Sequence, residues 1–251
     1  MFKAVLEDIN ILKESFSAIS EIIDEGVLKF EKGGIGMISS DRAVIALVDF
    51  LILPTSFESY KCDKEMEIGL NIIRLLQFVK KAKPEDKLVI TIDEEEDRVE
   101  LTLDGLTTRT FALPIISVSS QEMQDINRFQ FNNYIEISPS ILKEGVENAA
   151  LISDSVMIKL NKENLIIRAE GDSSYTQIKI DKDNPQLYSL NCKDEEVTAK
   201  YSVEYLTKML KASKLTDKMK LELNKDYPLH LEYAITDKVK LGFILAPRIE
   251  D

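Results

Sequence analysis

The sequence repeats itself at an offset of 130 residues, and this repeat limits the folds that the chain can adopt. The tetrapeptide Ile-Leu-Lys-Glu occurs at 11–14 and again at 141–144. At the same offset, Cys62 aligns with Cys192 and Lys81 aligns with Lys211. Repetition at a fixed spacing indicates a structural unit that is used more than once. We therefore expect two similar domains, 1–116 and 134–251, joined by a connecting loop at 117–133.

The hydrophobic pattern predicts two helices and about nine strands in each domain. Apolar residues recur every three or four positions at 9–23, 71–82, 140–152 and 202–213, which is the spacing of an amphipathic helix. Asp8 is placed to cap the first of these helices. Short alternating segments joined by turns, such as the turn at Gly33 and Gly34, predict antiparallel hairpins. The predicted fold class is α+β, with helices packed on antiparallel sheets in both domains.

The charge composition at first argues against a nucleic-acid-binding protein. The chain has 32 basic and 44 acidic residues among 251, so its formal net charge is −12. A negative protein and a polyanion repel each other at long range. The first ten residues contain acids where a signal peptide needs an apolar stretch, and no run approaches the length of a membrane span. We expect a protein of the cytosol or the nucleus, with no membrane partner.

The residues that usually carry enzymatic chemistry are scarce. His230 is the only histidine, and its alternating strand position favours packing over catalysis. Cys62 and Cys192 occupy equivalent positions of the repeat, which favours a structural role over a nucleophile. The acidic segment 93–97 lies between two predicted strands and is typical of a solvated turn. We expect no enzyme activity, no metal site and no cofactor.

Basic side chains lie outside the apolar faces of all four predicted helices. Lys13 and Lys143 are equivalent in the repeat, as are Lys81 and Lys211. Acids such as Glu147 share these helices, so the pattern alone favours ordinary solvated surfaces with ion pairs. The basic candidates are Lys13, Arg74, Lys80, Lys81, Lys143, Lys208, Lys211 and Lys214.

Four segments of the sequence carry a resemblance to a known family. They are Met1–Ala4 with the helix after it, Phe57–Asp63, Tyr205–Leu206 leading to Pro228–Tyr233, and the ending Leu245–Asp251. The Leu-Ala-Pro-basic-Ile-Glu ending is among the most specific family signatures. From end to end, the chain resembles the proliferating cell nuclear antigen (PCNA) family of DNA sliding clamps, in its archaeal or eukaryotic form.

The resemblance implies a ring of three clamp-fold chains that encircles duplex DNA. Such a ring acts as a processivity factor for DNA polymerase in replication and repair. The basic candidates above would line the channel and contact phosphates without reading bases. The expected compartment is the archaeal cytoplasm and nucleoid, or the eukaryotic nucleus.

Ring closure requires two edge strands that pair between neighbouring chains. The resemblance places one edge near 107–113 and the other near 174–181. The candidate interface residues are Arg109, Thr110 and Phe111 on one edge, and Tyr175, Thr176, Gln177, Ile178 and Lys179 on the other.

The resemblance also implies a pocket beneath the connecting loop for short peptides that carry a glutamine and an aromatic pair. DNA polymerase, the clamp loader, flap endonuclease and DNA ligase would bind there. The candidate lining is Ser40, Val44, Leu47, Met123, Ile126, Pro228, Ile244, Ala246 and Pro247. Leu47 and Ile244 are equally consistent with ordinary core packing.

The sequence departs from the family pattern in three places. Ile244 stands where an aromatic residue is frequent, which changes the expected pocket floor. Met123 and Ile126 are spaced one residue wider than the family's apolar pair. Glu147 stands where a basic residue is frequent, which lowers the positive charge expected on the third helix.

Two alternative functions remain open from the sequence. The first is a subunit of a heterotrimeric ring or of a checkpoint-type clamp, which would pair with different chains at its two edges. The second, more distant alternative is a ligand-binding or enzymatic α+β protein whose similarity to clamps is accidental. The oligomeric mass separates the first from a homotrimer, and peptide binding tests the second.

Overall fold

The chain forms two compact units in the structure, a computed structural model that describes residues 1–93, 95–118 and 126–248. Among these residues, unit 1 contains 1–40, 48–93, 95–118 and 235–241. Unit 2 contains 41–47, 126–234 and 242–248. The sequence repeat did not predict that 41–47 belongs to unit 2. The described ranges include no helix that is long and apolar enough to cross a bilayer.

The first repeat folds into short strands and two helices. The helices are α1 (Asn10–Ile19) and α2 (Ile72–Val79). The strands are β1 (Phe2–Leu6), β2 (Glu25–Glu31), β3 (Gly34–Ser40), β4 (Ala46–Ile52), β5 (Ser59–Cys62), β6 (Met66–Asn71), β7 (Lys87–Asp93), β8 (Arg98–Asp104) and β9 (Arg109–Pro114).

The second repeat follows the same order of elements. Its helices are α3 (Pro139–Ala150) and α4 (Val203–Met209), and a 3-10 turn at Leu210–Lys214 continues α4. Its strands are β10 (Asn133–Ile137), β11 (Ser155–Asn161), β12 (Asn164–Glu170), β13 (Tyr175–Asp181), β14 (Leu187–Asn191), β15 (Glu196–Ser202), β16 (Met219–Leu223), β17 (Leu229–Ile235) and β18 (Val239–Leu245).

The order of strands in the sheets repeats as well. Unit 1 contains the series β5-β1-β7-β8-β9 and β4-β3-β2-β6, and unit 2 contains β14-β10-β16-β17 and β13-β12-β11-β15. Adding nine to the strand numbers of unit 1 gives the series of unit 2 with β18 as the counterpart of β9, and residues of β18 belong to both units. Neighbouring strands such as β1 and β7 or β12 and β13 pair antiparallel, as the hairpin turns predict. The predicted α+β class with two similar domains is confirmed.

The core of unit 1 lies where its two helices cover the sheets. One apolar space in this core is lined by Leu12 and Phe16 of α1, Leu75 of α2 and the strand residues Phe30 and Ile90. Burial of such side chains is the main stabilising contribution in a domain of this size. In unit 2, Leu142 and Val146 are equivalent in the repeat to Leu12 and Phe16, and both are also buried.

The helices differ from the sequence predictions at their ends and on one face. Ile9, and not Asp8, precedes α1, which ends at Ile19. The spacing in α2 predicts a buried set of Ile72, Ile73, Leu76 and Val79, but Ile73 is 39% exposed and Leu75 is buried in its place. The pattern allowed either assignment because both residues are apolar, and in the fold Leu75 faces an apolar space that Leu28 of β2 and Leu70 of β6 also line.

Candidate functional site

The basic residues of unit 1 lie at the ends and outer surface of its helices. The Asn71 side chain caps α2 by accepting a hydrogen bond from the Arg74 amide at 2.8 Å, which places Arg74 in the first turn. Lys80 follows the last residue of α2, and Lys81 comes next. Arg74, Lys80 and Lys81 are exposed, whereas Lys13 on α1 is half-buried. The exposed cations could therefore meet a ligand with little loss of packing.

The basic residues of unit 2 are partly neutralised by acids. The Lys143 ammonium lies 3.8 Å from the Glu147 carboxylate, one turn along α3. The Lys208 ammonium lies 2.7 Å from the Glu204 carboxylate, and this hydrogen bond lowers the pKa of Glu204. Glu147, which lowers the positive charge expected on α3, therefore also forms an ion pair with Lys143. Lys211 and Lys214 lie exposed on the 3-10 turn that follows α4.

The predicted interface residues lie on strands at the ends of their sheets. β9 is the last strand of its sheet in unit 1, and β13 is the last strand of its sheet in unit 2. Tyr175 at the start of β13 is 65% exposed, with the Arg168 guanidinium 4.6 Å from its ring centre. Leu151, after the last turn of α3, is 83% exposed. Thr110, Gln177 and Lys179 are exposed, and Thr176 and Ile178 are half-buried.

Two of the predicted β9 interface residues also hold the strand within its own unit. The Arg109 guanidinium pairs with the buried Asp86 carboxylate and donates to the Lys81 carbonyl at 3.0 Å. A backbone hydrogen bond from Lys83 and the pair with Arg109 lower the pKa of Asp86. The Phe111 ring stacks on Phe78 of α2 with a centroid distance of 4.8 Å. β9 is therefore fixed to the end of α2 before any partner binds.

One rim of the candidate pocket is the loop 41–47 of unit 2. Val44 is 53% exposed and Ile45 is 39% exposed, while Leu47 is buried. The backbone of Val44 has φ of 57°, a left-handed conformation that is unfavourable for a β-branched residue. The Ala246 amide donates to the Ile45 carbonyl at 2.9 Å, which brings the C-terminal segment beside this loop.

The remaining pocket candidates have unequal exposure. Pro228, Ala246 and Pro247 are half-buried, as is Ile126 at the start of a short 3-10 turn. Ile244 is buried at 5% exposure, so it lies in the core or under the floor of the pocket. Met123 lies outside the described residues. Ser40 is half-buried at the end of β3 in unit 1.

An aromatic cluster lies directly beside Pro228. The Phe131 ring is 5.6 Å from the Tyr227 ring and stacks on His230 at 5.7 Å. The Phe129 ring is 6.4 Å from the Tyr227 ring. These contacts fasten the end of the connecting loop to β17. The apolar character of Phe129 and Phe131 within a polar segment was the sequence signal for this contact, while Tyr227 gave none.

The surroundings of the histidine and of the two cysteines fit structural roles for these residues. The Nδ1 atom of His230 lies 2.6 Å from the Glu222 carboxylate, and His230 is 8% exposed. Burial raises the pKa of both Cys62 and Cys192, so the reactive thiolate is disfavoured. The part of the chain that the structure describes contains no cluster of three or more metal-ligating side chains.

Sequence reasoning missed several residues that shape these surfaces. Asp41 and Tyr205 organise the rim loop, and Asp86 anchors Arg109. Leu151 adds exposed apolar surface at the end of α3. Buried carboxylates inside loops have no periodic signature, so their partners could be found only from the folded chain.

Comparison of the sequence with models of known protein families identifies the class of protein to which this chain belongs. The family model of the PCNA N-terminal domain matches residues 1–128, and that of the PCNA C-terminal domain matches residues 125–248. The two matches span nearly the whole sequence. The chain belongs to the proliferating cell nuclear antigen family.

Individual relatives are similar over their full length. A protein named DNA polymerase sliding clamp from Pyrococcus horikoshii is 31% identical, with 100% of this chain and 99% of the relative aligned. The protein of the same name from Thermococcus sibiricus is 32% identical over the same shares. A crystal structure of PCNA from Thermococcus kodakaraensis superposes with a TM-score of 0.92 at 27% identity, covering 99% of this chain and 100% of the other.

Proposed function

We propose that this chain is a DNA sliding clamp that closes into a homotrimeric ring around duplex DNA and serves as a processivity factor for DNA polymerase. The observation that carries the proposal is the match of both family domains across the chain. Relatives named DNA polymerase sliding clamp support the link to DNA and polymerase. The expected compartment is the archaeal cytoplasm and nucleoid, since these relatives are archaeal.

Ring closure is supported by the repeat itself. In unit 1, the start of β18 lies beside the end of β4, where the Leu53 amide donates to the Lys238 carbonyl at 2.8 Å. In unit 2, the end of β18 lies beside the start of β4 through the Ala246–Ile45 hydrogen bond. The repeat equivalents of β18 and β4 are β9 and β13, which end their sheets. Pairing of β9 with β13 of the next chain would repeat this arrangement between protomers.

The channel of the proposed ring would be lined by the helix cations. Contacts of Arg74, Lys80, Lys81, Lys211 and Lys214 with phosphates would hold DNA weakly and without base specificity. The acids beside Lys143 and Lys208 reduce the attraction further. Weak contact suits a ring that slides, because retention comes from topological closure.

The pocket rim of unit 2 would bind short peptides of replication and repair proteins. Exposed Val44 and half-buried Pro228, Ala246 and Pro247 offer an apolar surface of the kind that anchors aromatic side chains. DNA polymerase, clamp loader, flap endonuclease and DNA ligase are the proposed partners. In this proposal the chain is a scaffold and not an enzyme, and it requires no cofactor.

The oligomeric mass tests the ring most directly. The 28.5 kDa chain should elute with a light-scattering mass of about 85 kDa, three times the chain mass, at micromolar concentration. A monomer that assembles only with other clamp chains would contradict self-closure and favour the heterotrimeric alternative. Stimulation of a polymerase on primed circular DNA, lost on linear DNA with free ends, tests topological retention.

A further inference from the structure

The rim loop of unit 2 holds a strained backbone that needs an external restraint. Val44 adopts φ of 57°, and no glycine at this position relieves the conformation. A strained residue persists only where its surroundings enforce it. The exposure of Val44 and Ile45 at the candidate pocket depends on this backbone conformation.

The Asp41 side chain supplies the restraint from one of its two oxygens. Its Oδ1 atom accepts hydrogen bonds from the amides of Ile45 and Ala46, both at 2.8 Å. The Val44 amide donates to the Asp41 carbonyl at 3.0 Å, and the Asp41 amide donates to the Ala46 carbonyl at 3.0 Å. The loop is thus closed on Asp41, and its shape depends on the orientation of this carboxylate.

The other oxygen of Asp41 is held by a helix far away in the sequence. The Tyr205 hydroxyl on α4 donates to Oδ2 of Asp41 at 2.6 Å, across 164 residues. Burial, aided by the hydrogen bond to Asp41, raises the pKa of Tyr205 to about 12, so the hydroxyl keeps its proton at neutral pH. The Lys208 ammonium lies 5.3 Å from the centre of the Tyr205 ring, which restricts the ring further.

We propose that Tyr205 is a positioning residue for peptide binding. By fixing the Asp41 carboxylate, its hydroxyl holds the loop 41–47 in the conformation that presents Val44 and Ile45 to the partner peptide. Tyr205 acts through Asp41 and has no need to touch the peptide. This inference rests on the proposed function, because it takes the pocket of unit 2 to be a peptide site.

The affinity of the full chain for a labelled synthetic peptide with a glutamine and an aromatic pair tests the inference. Tyr205→Phe keeps the ring and removes the hydroxyl. We expect it to weaken peptide binding about three- to tenfold, which corresponds to part of the free energy of a charge-assisted hydrogen bond. Tyr188→Phe is the matched control, since Tyr188 is a 50% exposed tyrosine on β14 of the same unit. The control variant should bind as the wild type does.

A double-mutant cycle separates positioning from general destabilisation. In an Asp41→Ala background, Tyr205→Phe should cause no further loss, because the hydroxyl then has no carboxylate to hold. Additive losses in the cycle would contradict a role through Asp41. Methyl NMR of Tyr205→Phe alone provides a second measurement, in which the Val44 and Ile45 signals should shift while melting stays close to the wild-type temperature.

The outcomes distinguish this inference from the function on which it rests. If the wild-type chain binds no peptide, the pocket assignment fails and the inference fails with it. If the wild type binds and Tyr205→Phe binds equally well with unshifted Val44 and Ile45 methyl signals, only the positioning role is overturned.

Discussion

Individual polar side chains hold the end of the connecting loop to the sheet of unit 2. The Asn133 side chain is fully buried. Its Oδ1 atom accepts a hydrogen bond from the Lys193 amide at 2.9 Å, and its amide group donates hydrogen bonds to Asp194 and Asn224. The Asn224 amide in turn donates to the Gln130 carbonyl at 2.9 Å. These bonds satisfy buried polar groups, whose removal is costly. They fix the end of the connecting loop at the point where β10 begins.

Glu222 provides a pH-dependent contact at the same place. Burial alone would raise the pKa of this carboxyl, but hydrogen bonds from His230 and Lys220 outweigh burial and lower it. A carboxyl with a lowered folded-state pKa contributes stability above its unfolded pKa, and the contribution is lost as pH falls through the folded value.

We therefore predict that Glu222→Gln lowers the free energy of unfolding by about 1–2 kcal/mol at pH 7. The difference from wild type should shrink as pH falls below about 4, the ordinary range of a glutamate. Denaturant unfolding at a series of pH values measures this difference in the free energy of unfolding. Glu163→Gln, which removes an exposed pair with Lys182, is the control and should change little. A Glu222→Gln effect that is constant with pH would contradict this account.

At the scale of elements, the repeat predicted the architecture well because the spacing of apolar residues, which determines helices and strands, is itself what repeats. The four helices fall near their predicted segments and the described part of each repeat contains the nine strands expected, since one face of each element must be buried. The helix ends were less predictable. α4 gives way to a 3-10 turn at Leu210, where the local sequence still follows a helical pattern. The segment 41–47 is tied to unit 2 by hydrogen bonds from the Tyr205 hydroxyl to Asp41 and from the Ala246 amide to Ile45, which hydrophobic spacing cannot reveal.

The surface around β13, which we propose as one side of the interface, carries large exposed side chains. Tyr175 and Leu151 are 65% and 83% exposed, at the start of β13 and after α3. Tyrosine is enriched among the anchors of protein interfaces, and an exposed leucine adds apolar surface of the kind that marks an interaction site. β13 also has unpaired backbone groups along one side because it ends its sheet, and such edges invite pairing with another strand.

We predict that Tyr175→Ala raises the dissociation constant of the trimer about tenfold or more, as expected for an interface anchor. Sedimentation or light scattering across a dilution series measures it. Tyr188→Ala is the matched control, because Tyr188 is also exposed and has a lysine ammonium, that of Lys218, 6.0 Å from its ring centre. Equal effects of the two substitutions would remove β13 from the interface.

At the scale of the whole molecule, the net charge of −12 conceals an uneven distribution of charge. Exposed acids such as Glu95, Glu96 and Asp97 lie in the turn between β7 and β8. The exposed cations near α2 and after α4 lie at helix ends. In the proposed ring, attraction to DNA acts over about 8–10 Å in physiological salt, so local cations outweigh distant acids. The total charge therefore does not decide whether such a protein contacts DNA.

The repeat supplies a test of this distribution in which the total charge is matched. Lys81→Glu with Lys211→Glu reverses two repeat-equivalent cations next to helices, whereas Lys32→Glu with Lys162→Glu reverses two repeat-equivalent cations in hairpin turns. Both double variants change the net charge by the same amount. We predict that only the first lowers clamp-dependent polymerase stimulation, by about threefold or more at physiological salt, because it removes phosphate contacts. Both should remain trimers by light scattering, and equal stimulation by the two would exclude Lys81 and Lys211 from the DNA-facing surface.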